Sequence, residues 1–310
     1  MAHGPHSITF NATAVGQMTD ISHNTGGTVQ RGSSGEVDPQ ALFQGDSPHS
    51  TSFTSTDIEG LLALNSGAFI TSGLYISGSN VTVPFRKRSS GSTFATGSSH
   101  AALQSGKTFT IPQSMSAQGS NPVQMQCDIK YLSADGFTSP ISKVTGQTLT
   151  QATFNKEYLL KKIEVNGTAV PELTGFTLNF GITLIEQRVD GGPFTQSAYI
   201  SLRDPTVDIT TEDLDAAMSV INATEVVEAS GGLIIYLARR KKGSIVYADD
   251  EQISTTSQHI KIVANAGLWQ ATTIGAQAAQ NGSGTIRLTA SGDDPASTAV
   301  LVATNNVDIV

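Results

Sequence analysis

Apolar residues along the chain recur at every second position, or in short runs, between clusters of Gly, Ser, Thr, Asn and Asp. Ile8-Thr9-Phe10, Val81-Thr82-Val83 and Gln124 to Tyr131 alternate, while Ile245-Val246-Tyr247 and Ile260 to Val263 are brief apolar stretches bounded by turn residues. Both patterns predict strands, and the chain as a whole predicts a mainly β fold. Helical spacing shows twice. Thr56-Asp57-Ile58-Glu59 fits a capping box ahead of Leu61, Leu62 and Leu64, and Thr210 to Asp213 does so ahead of Leu214, Ala217, Met218 and Ile221. No β-α-β alternation appears, which argues against a doubly wound nucleotide fold.

These elements occur in an order that repeats. Ile8 to Gln30 lies without a gap over Ile163 to Ile185 at a shift of 155, with nine of 23 pairs identical, among them Asn11 with Asn166, Thr13-Ala14-Val15 with Thr168-Ala169-Val170, and Gly26 with Gly181. Apolar positions keep their phase, as a common strand register requires. At a shift of 156, Phe53-Thr54-Ser55 and Asp57-Ile58 face Ile209-Thr210-Thr211 and Asp213-Leu214. Gly73 to Ile76 then matches Gly232 to Ile235, and Ile129 to Asp135 echoes Leu288 to Asp293. The expected architecture is two tandem β-sandwich or barrel domains, each with one short α-helix, related by internal duplication. The expected boundary lies in the polar stretch Thr145 to Thr153, giving domains 1–152 and 153–310.

A chain of 310 residues can bury two cores of that size. Only 14% of residues are charged and 6% aromatic, and the net charge is −8, so clustered cations able to grip nucleic acid are few. The halves differ: residues 1–155 carry 7 basic and 8 acidic side chains, residues 156–310 carry 11 and 18. One cysteine, Cys127, excludes an internal disulfide and any multi-cysteine metal site. Met1 to Phe10 lacks the basic and apolar regions of a secretion signal, and the longest apolar run, Leu233 to Ala238, is far short of the roughly 20 residues a membrane helix needs. The expectation is a chain without a membrane span, assembled in a cytoplasm.

Catalytic and ligand chemistry finds little footing. His3, His6, His23, His49, His100 and His259 show no metal or triad spacing, and Leu178 stands at the position corresponding to His23. Cys127 lies in a strand pattern with no adjacent histidine. The Gly pairs 26–27, 191–192 and 231–232 read as turns rather than phosphate loops, and the acidic runs at Asp249-Asp250-Glu251 and Asp293-Asp294 lack calcium-ligand alternation. No catalytic residue, cofactor or metal is expected. Two basic clusters, Arg86-Lys87-Arg88 and Arg239-Arg240-Lys241-Lys242, follow the matching Gly-Leu strands and are candidate inter-subunit loops, the alternative being solvated hairpin tips.

Each half is similar in plan to the tail tube proteins of long-tailed, siphovirus-like bacteriophages: a strand pair, a long polar loop, one helix and a closing series of strands. Glu36 to Leu64, EVDPQALFQGDSPHSTSFTSTDIEGLLAL, resembles that family's loop-and-helix segment. The resemblance implies a structural, non-enzymatic virion protein of the two-domain kind. Three chains would then form a pseudo-hexameric ring, and stacked rings a hollow tail tube conducting the genome into the host cell. It implies as partners other copies of the chain, the tape-measure, terminator and tail-tip proteins, and double-stranded DNA passing without sequence preference. Three other expectations remain: a decoration or receptor-binding β-sandwich, the inner tube of a contractile injection system, and an enzyme resting on a lone carboxylate pair.

Overall fold

A computed structural model describes residues 3, 4, 6–11, 13–32, 41–64, 76, 77, 80–90, 93–95, 97, 100–149, 157–213, 215, 227, 228, 232–240, 259–264, 266–275, 282–291 and 301–307. In chain order these form β1 (His3–Gly4), β2 (Ile8–Phe10), β3 (Thr13–Val15), β4 (Met18–Asn24), β5 (Val29–Gly32), β6 (Ala41–Gln44), β7 (Ser50–Ser55), helix α1 (Ile58–Ala63), β8 (Ile76–Ser77), β9 (Val81–Ser90), β10 (Thr93–Phe94), β11 (His100–Ser105), β12 (Thr108–Gln118), β13 (Gln124–Tyr131) and β14 (Ser142–Gln147). They continue as β15 (Tyr158–Val165), β16 (Thr168–Ala169), β17 (Leu173–Asn179), β18 (Ile182–Arg188), β19 (Thr195–Arg203), β20 (Thr206–Thr211), β21 (Val227–Glu228), β22 (Leu233–Arg239), β23 (His259–Ala264), β24 (Ala266–Gly275), β25 (Ser283–Ser291) and β26 (Leu301–Val307). The fold is mainly β, and every pairing among the described residues is antiparallel.

A ten-stranded sheet runs β21-β24-β25-β20-β17-β12-β13-β7-β4, with β8 added on β12. One sheet, in the order β14-β11-β9-β2-β3, faces its first half, and another, β26-β23-β22-β15-β16, faces its second. Between the layers lies one apolar core. Ile8, Phe10, Val81 and Val83 meet Phe53, Met125, Cys127 and Ile129, and farther along Ile163, Ile235 and Ile262 meet Phe176, Ile209, Ile286 and Leu288. Strict alternation directs this: in β7 Thr51, Phe53 and Ser55 are buried while Ser50, Ser52 and Thr54 face outward. Full burial of each such aliphatic or Phe side chain contributes roughly 1.5–3 kcal/mol, and Phe53→Ala costs about 3–5 kcal/mol.

The hairpins β2-β3 and β15-β16 turn at Asn11 (φ 53°) and Asn166 (φ 49°), residues that tolerate the left-handed region. Asn11 N–H donates to the Asn80 carbonyl, and Asn166 N–H to that of Gly232. Helix α1 forms where expected, but its cap is Asp57 rather than Thr56. The Asp57 carboxylate accepts the Gly60 N–H at 3.0 Å and the Gly16 N–H at 2.9 Å, so the box with Glu59 does not close. The second expected helix, Leu214 to Ile221, lies almost wholly outside the described residues, as do Ile245 to Tyr247.

One expectation is corrected by the pairing. Ile76 does not match Ile235; it adds a two-residue strand to β12, whereas the strand lying between β2 and β11, as β22 lies between β15 and β23, is β9. Apolar identity after the helix misled, because both Gly73–Ile76 and Val81–Val83 are short apolar runs and only partners distinguish them. Thr145 to Gln147, at the start of the polar stretch that holds the expected boundary, complete β14 on β11.

Candidate functional site

The described residues hold no group of three or more His, Cys, Asp or Glu side chains able to bind a metal ion, and no helix among them is long and apolar enough to cross a membrane. A groove of about 450 Å³ on the outer face of the large sheet is lined by Ser116, Gln118, Asn121, Gln124, Thr174 and Thr177 among others, none of its lining residues titratable. Cys127 is sealed in the core, and burial pushes its thiol far above the ordinary range, so it is no nucleophile.

Among the described residues the large sheet presents a junction and, at its two ends, open edges. At the junction β12 pairs with β17: Ser114 faces Asn179, Met115 faces Leu178, Ser116 faces Thr177, Ala117 faces Phe176 and Gln118 faces Gly175. Met115, Ala117, Phe176 and Leu178 enter the core, while the Ser, Thr, Asn and Gln side chains lie on the outer face. Gly175 permits the close approach, since a Cβ there would stand 2.6 Å from the Ala117 carbonyl oxygen. The hairpin β18-β19 then folds over the outer face beside the junction: Ile182, Leu184, Ala198 and Ile200 cover Phe109, Ile111 and Leu132, and Lys130 pairs with Glu186 at 3.5 Å. Backbone bonds from Ser47 to Pro193 and from Ser133 to Thr195, both 2.8 Å, pin the same region.

The edges lie at the two ends of the large sheet. Among the described residues β4 pairs only with β7; β24 pairs with β25 and, at Leu268 and Trp269, with the two residues of β21, leaving Thr273 to Gly275 open. Exposed apolar side chains accompany both edges: Val29 (66%) on the hairpin after β4, and Leu268 (51%) and Ile274 (50%) on β24. Unpaired edges with apolar side chains are templates for a further strand.

Outside the core the large sheet presents rows of mostly polar residues. One row crosses eight strands in register: Asp20, Thr54, Gln126, Ser114, Asn179, Thr206, Thr289 and Leu268. The next reads Gln124, Ser116, Thr177, Asp208, Arg287 and Gln270, within which Arg287 grips Asp208 through two bonds of 2.6 and 2.8 Å. Asp128 accepts from Ser52 and Gln113.

The two basic clusters lie elsewhere, on the opposing sheets. Arg86, Lys87 and Arg88 are inside β9, not at a hairpin tip, with Lys87 opposite His3. Arg239 closes β22, and Arg240 pairs with Glu157 at 3.4 Å; Lys241 and Lys242 lie outside the described residues. The two clusters do share a place, since the Lys87 N–H donates to Nδ1 of His100 and the Arg239 N–H to Nδ1 of His259. Sequence reasoning missed that histidine pair. The signal was available, because His100 and His259 stand 159 apart, the spacing of the Ile129 and Leu288 echo.

His23 and His49 form a second polar cluster. Their rings stack at 6.0 Å, Tyr131 meets His23 edge-on at 5.8 Å, and Phe194 stacks on His49 at 5.5 Å. His23 Nδ1 bonds Thr51 Oγ1 at 2.9 Å, and Thr51 Oγ1 bonds the Tyr131 hydroxyl at 2.8 Å. Burial holds both imidazoles below their ordinary range, the His49 charge adding to the effect at His23. No protein-family model and no curated protein sequence matches the chain.

Proposed function

We propose that the protein is a non-enzymatic, self-assembling structural subunit, the major tail tube protein of a long-tailed, siphovirus-like bacteriophage, and that its two halves are copies of one domain. The observation that carries this is the junction between β12 and β17. The paths β14-β11-β9-β2-β3 and β26-β23-β22-β15-β16 have the same order, as do β4-β7-β13-β12-β8 and β17-β20-β25-β24-β21. Registers agree as well: Pro112 faces Cys127 and Ala271 faces Ile286 at a shift of 159, with a bulge in the same place, and β4 and β17 both bulge after their first pair with the neighbouring strand.

On that correspondence β24 is the counterpart of β12, and β4 that of β17. The internal junction therefore uses the same two edges that the chain leaves open. Repeating it between chains sets Thr273 opposite Asn24, Ile274 opposite His23 and Gly275 opposite Ser22. The short strand β21 is no obstacle, since β8 occupies the same position on β12 beside the existing junction. Exposed Ile274 takes the place of buried Met115, Leu268 that of buried Phe109, and Val29 that of Leu184, through which the hairpin packs on the sheet. Head-to-tail contacts of this kind are heterologous and close into a ring when the rotation allows.

Three chains contribute about 24 long strands, and barrels of 16–18 strands already enclose a water-filled channel. The wall facing that channel is the polar outer face. Its hydroxyls and amides carry no charge, and the two cations on its described strands are occupied, Lys130 by Glu186 and Arg287 by Asp208. Double-stranded DNA passes such a wall without being held, with tape-measure, terminator and tail-tip proteins as the remaining partners and the virion tail, assembled in the host cytoplasm, as the location. Arg86, Lys87, Arg88, Arg239 and Arg240 belong to the opposing sheets, on the other side of the core from that wall, where they are candidate contacts for neighbouring subunits.

Light scattering followed by negative-stain electron microscopy of concentrated protein tests the proposal. Hollow rings of threefold symmetry, stacking into tubes, are expected. A monomer at every concentration, even with a phage tail tip supplied as nucleus, overturns it in favour of a β-sandwich binding module.

A further inference from the structure

Given the head-to-tail assembly proposed above, on which this rests, we infer that the seam between chains is gated by pH through His23 and His49, whereas the seam within the chain is not. The two seams differ at one inward-facing position. Within the chain Leu178, fully buried, meets Met115. On the open edge His23 holds the place of Leu178 and meets Ile274 of the next copy. An apolar pair is thus replaced by an aliphatic side chain set against an imidazole that is stacked on a second imidazole.

The cluster has no counter-charge. Of the ionisable groups on β4 and β13, Asp20, Asp128 and Lys130 have the outward strand phase, β7 has none, and the one that faces His23 is the Tyr131 hydroxyl, pushed up to about 12 by burial. On the far side of His49 stands Phe194. The incoming edge adds none either, because from Leu268 to Ile286 the chain contains no ionisable residue. A proton on either ring would place a cation under an apolar partner with nothing to offset it.

The sign follows from burial. Both imidazoles already sit below their ordinary range in the free chain, and covering by the next copy lowers them further. The assembled state therefore binds fewer protons than the free edge, so association is full through the ordinary imidazole range and weakens as pH falls below it, through the lowered values of the free edge. The loss is about tenfold per pH unit for each proton that must leave.

The test follows association of the full chain by light scattering between about pH 8 and about pH 5, over the range in which the emission of buried Trp269 shows the chain folded. The native chain is expected to associate at least about tenfold more weakly at the acid end. His23→Leu, which restores the side chain of Leu178, is expected to associate alike at both. His49→Phe, which keeps the stack on Phe194, serves where His23→Leu folds poorly and is expected to reduce the pH dependence. Equal association of the native chain at both ends overturns the inference, and so does an acid loss that persists unchanged in both variants. Absence of association at every pH overturns the head-to-tail assembly itself.

Discussion

His100 and His259 sit in equivalent strand positions, each nearly fully buried and each accepting through Nδ1 a backbone N–H from the neighbouring strand, that of Lys87 at 3.1 Å and that of Arg239 at 3.0 Å. Both also mark a shift in register, between His100 and Ala101 against β14 and between His259 and Ile260 against β26. The ring nitrogen satisfies an amide just beyond the last regular pair with the donor strand, Phe85 with Ala101 in one case and Leu237 with Ile260 in the other. Replacing either histidine by Leu strands that amide, and each change is expected to destabilise the chain by about 1–3 kcal/mol in urea unfolding. A cost at one site and none at the other would separate the two positions.

Asp57 ties the helix to the strand pair before it, since one oxygen caps Gly60 and the other holds the Gly16 N–H. Asp57→Ala loses both bonds and is expected to lower stability by about 1–2 kcal/mol, while Asp57→Asn keeps one acceptor and loses less. Glu59→Gln leaves the cap intact and keeps an amide oxygen to accept from the Tyr158 hydroxyl, so it is expected to cost least. The ranking by thermal denaturation is Asp57→Ala, then Asp57→Asn, then Glu59→Gln.

Local patterns were legible where partners did not matter. The alternation of Gln124 to Tyr131 gave a strand with Met125, Cys127, Ile129 and Tyr131 inward, and the start of α1 was placed to within a residue. Where two runs looked alike, as at Ile76 and Val81, the ladder chose between them and the sequence did not. The basic clusters drew notice as charge runs, yet Arg86 to Arg88 are ordinary strand positions on the opposing sheet. The junction could not be read at all, because Ser114 to Gln118 and Gly175 to Asn179 carry no motif. What they carry is a phase, polar outward and apolar inward, and phase acquires meaning only once the facing strand is known.

Gly26 and Gly181, identical at the 155 shift, are explained by backbone. Both have positive φ, and a Cβ at Gly26 would stand 2.7 Å from the Pro48 carbonyl oxygen, while one at Gly181 would collide with the carbonyl of Asp204. Gly97 also has positive φ but has open space around it. Gly→Ala at position 97 is expected to cost about 1 kcal/mol from backbone strain alone, and at 26 and 181 clearly more, because there the backbone must move as well. Chemical unfolding of the three variants checks the order, and equal costs would show that the close approaches relax freely.

Asn24 and Thr273 stand at opposite edges of the large sheet, seven strand spacings or about 34 Å apart in a flat sheet, and so cannot be bridged within one chain. In the proposed seam they face each other as Asn179 and Ser114 do inside the chain. Paired antiparallel positions bring Cα atoms to about 4.5–5.5 Å, within disulfide reach. The variant carrying Asn24→Cys and Thr273→Cys is therefore expected to cross-link only between chains. Cys127, buried and protonated, does not compete. Closure makes the outcome specific: a ring of three locks into one covalent trimer with no free edge thiol, whereas an open filament gives a ladder of lengths, each with two thiols left over. Non-reducing gel electrophoresis with thiol counting distinguishes them. A chain that stays monomeric under oxidation would show that β4 and β24 do not meet.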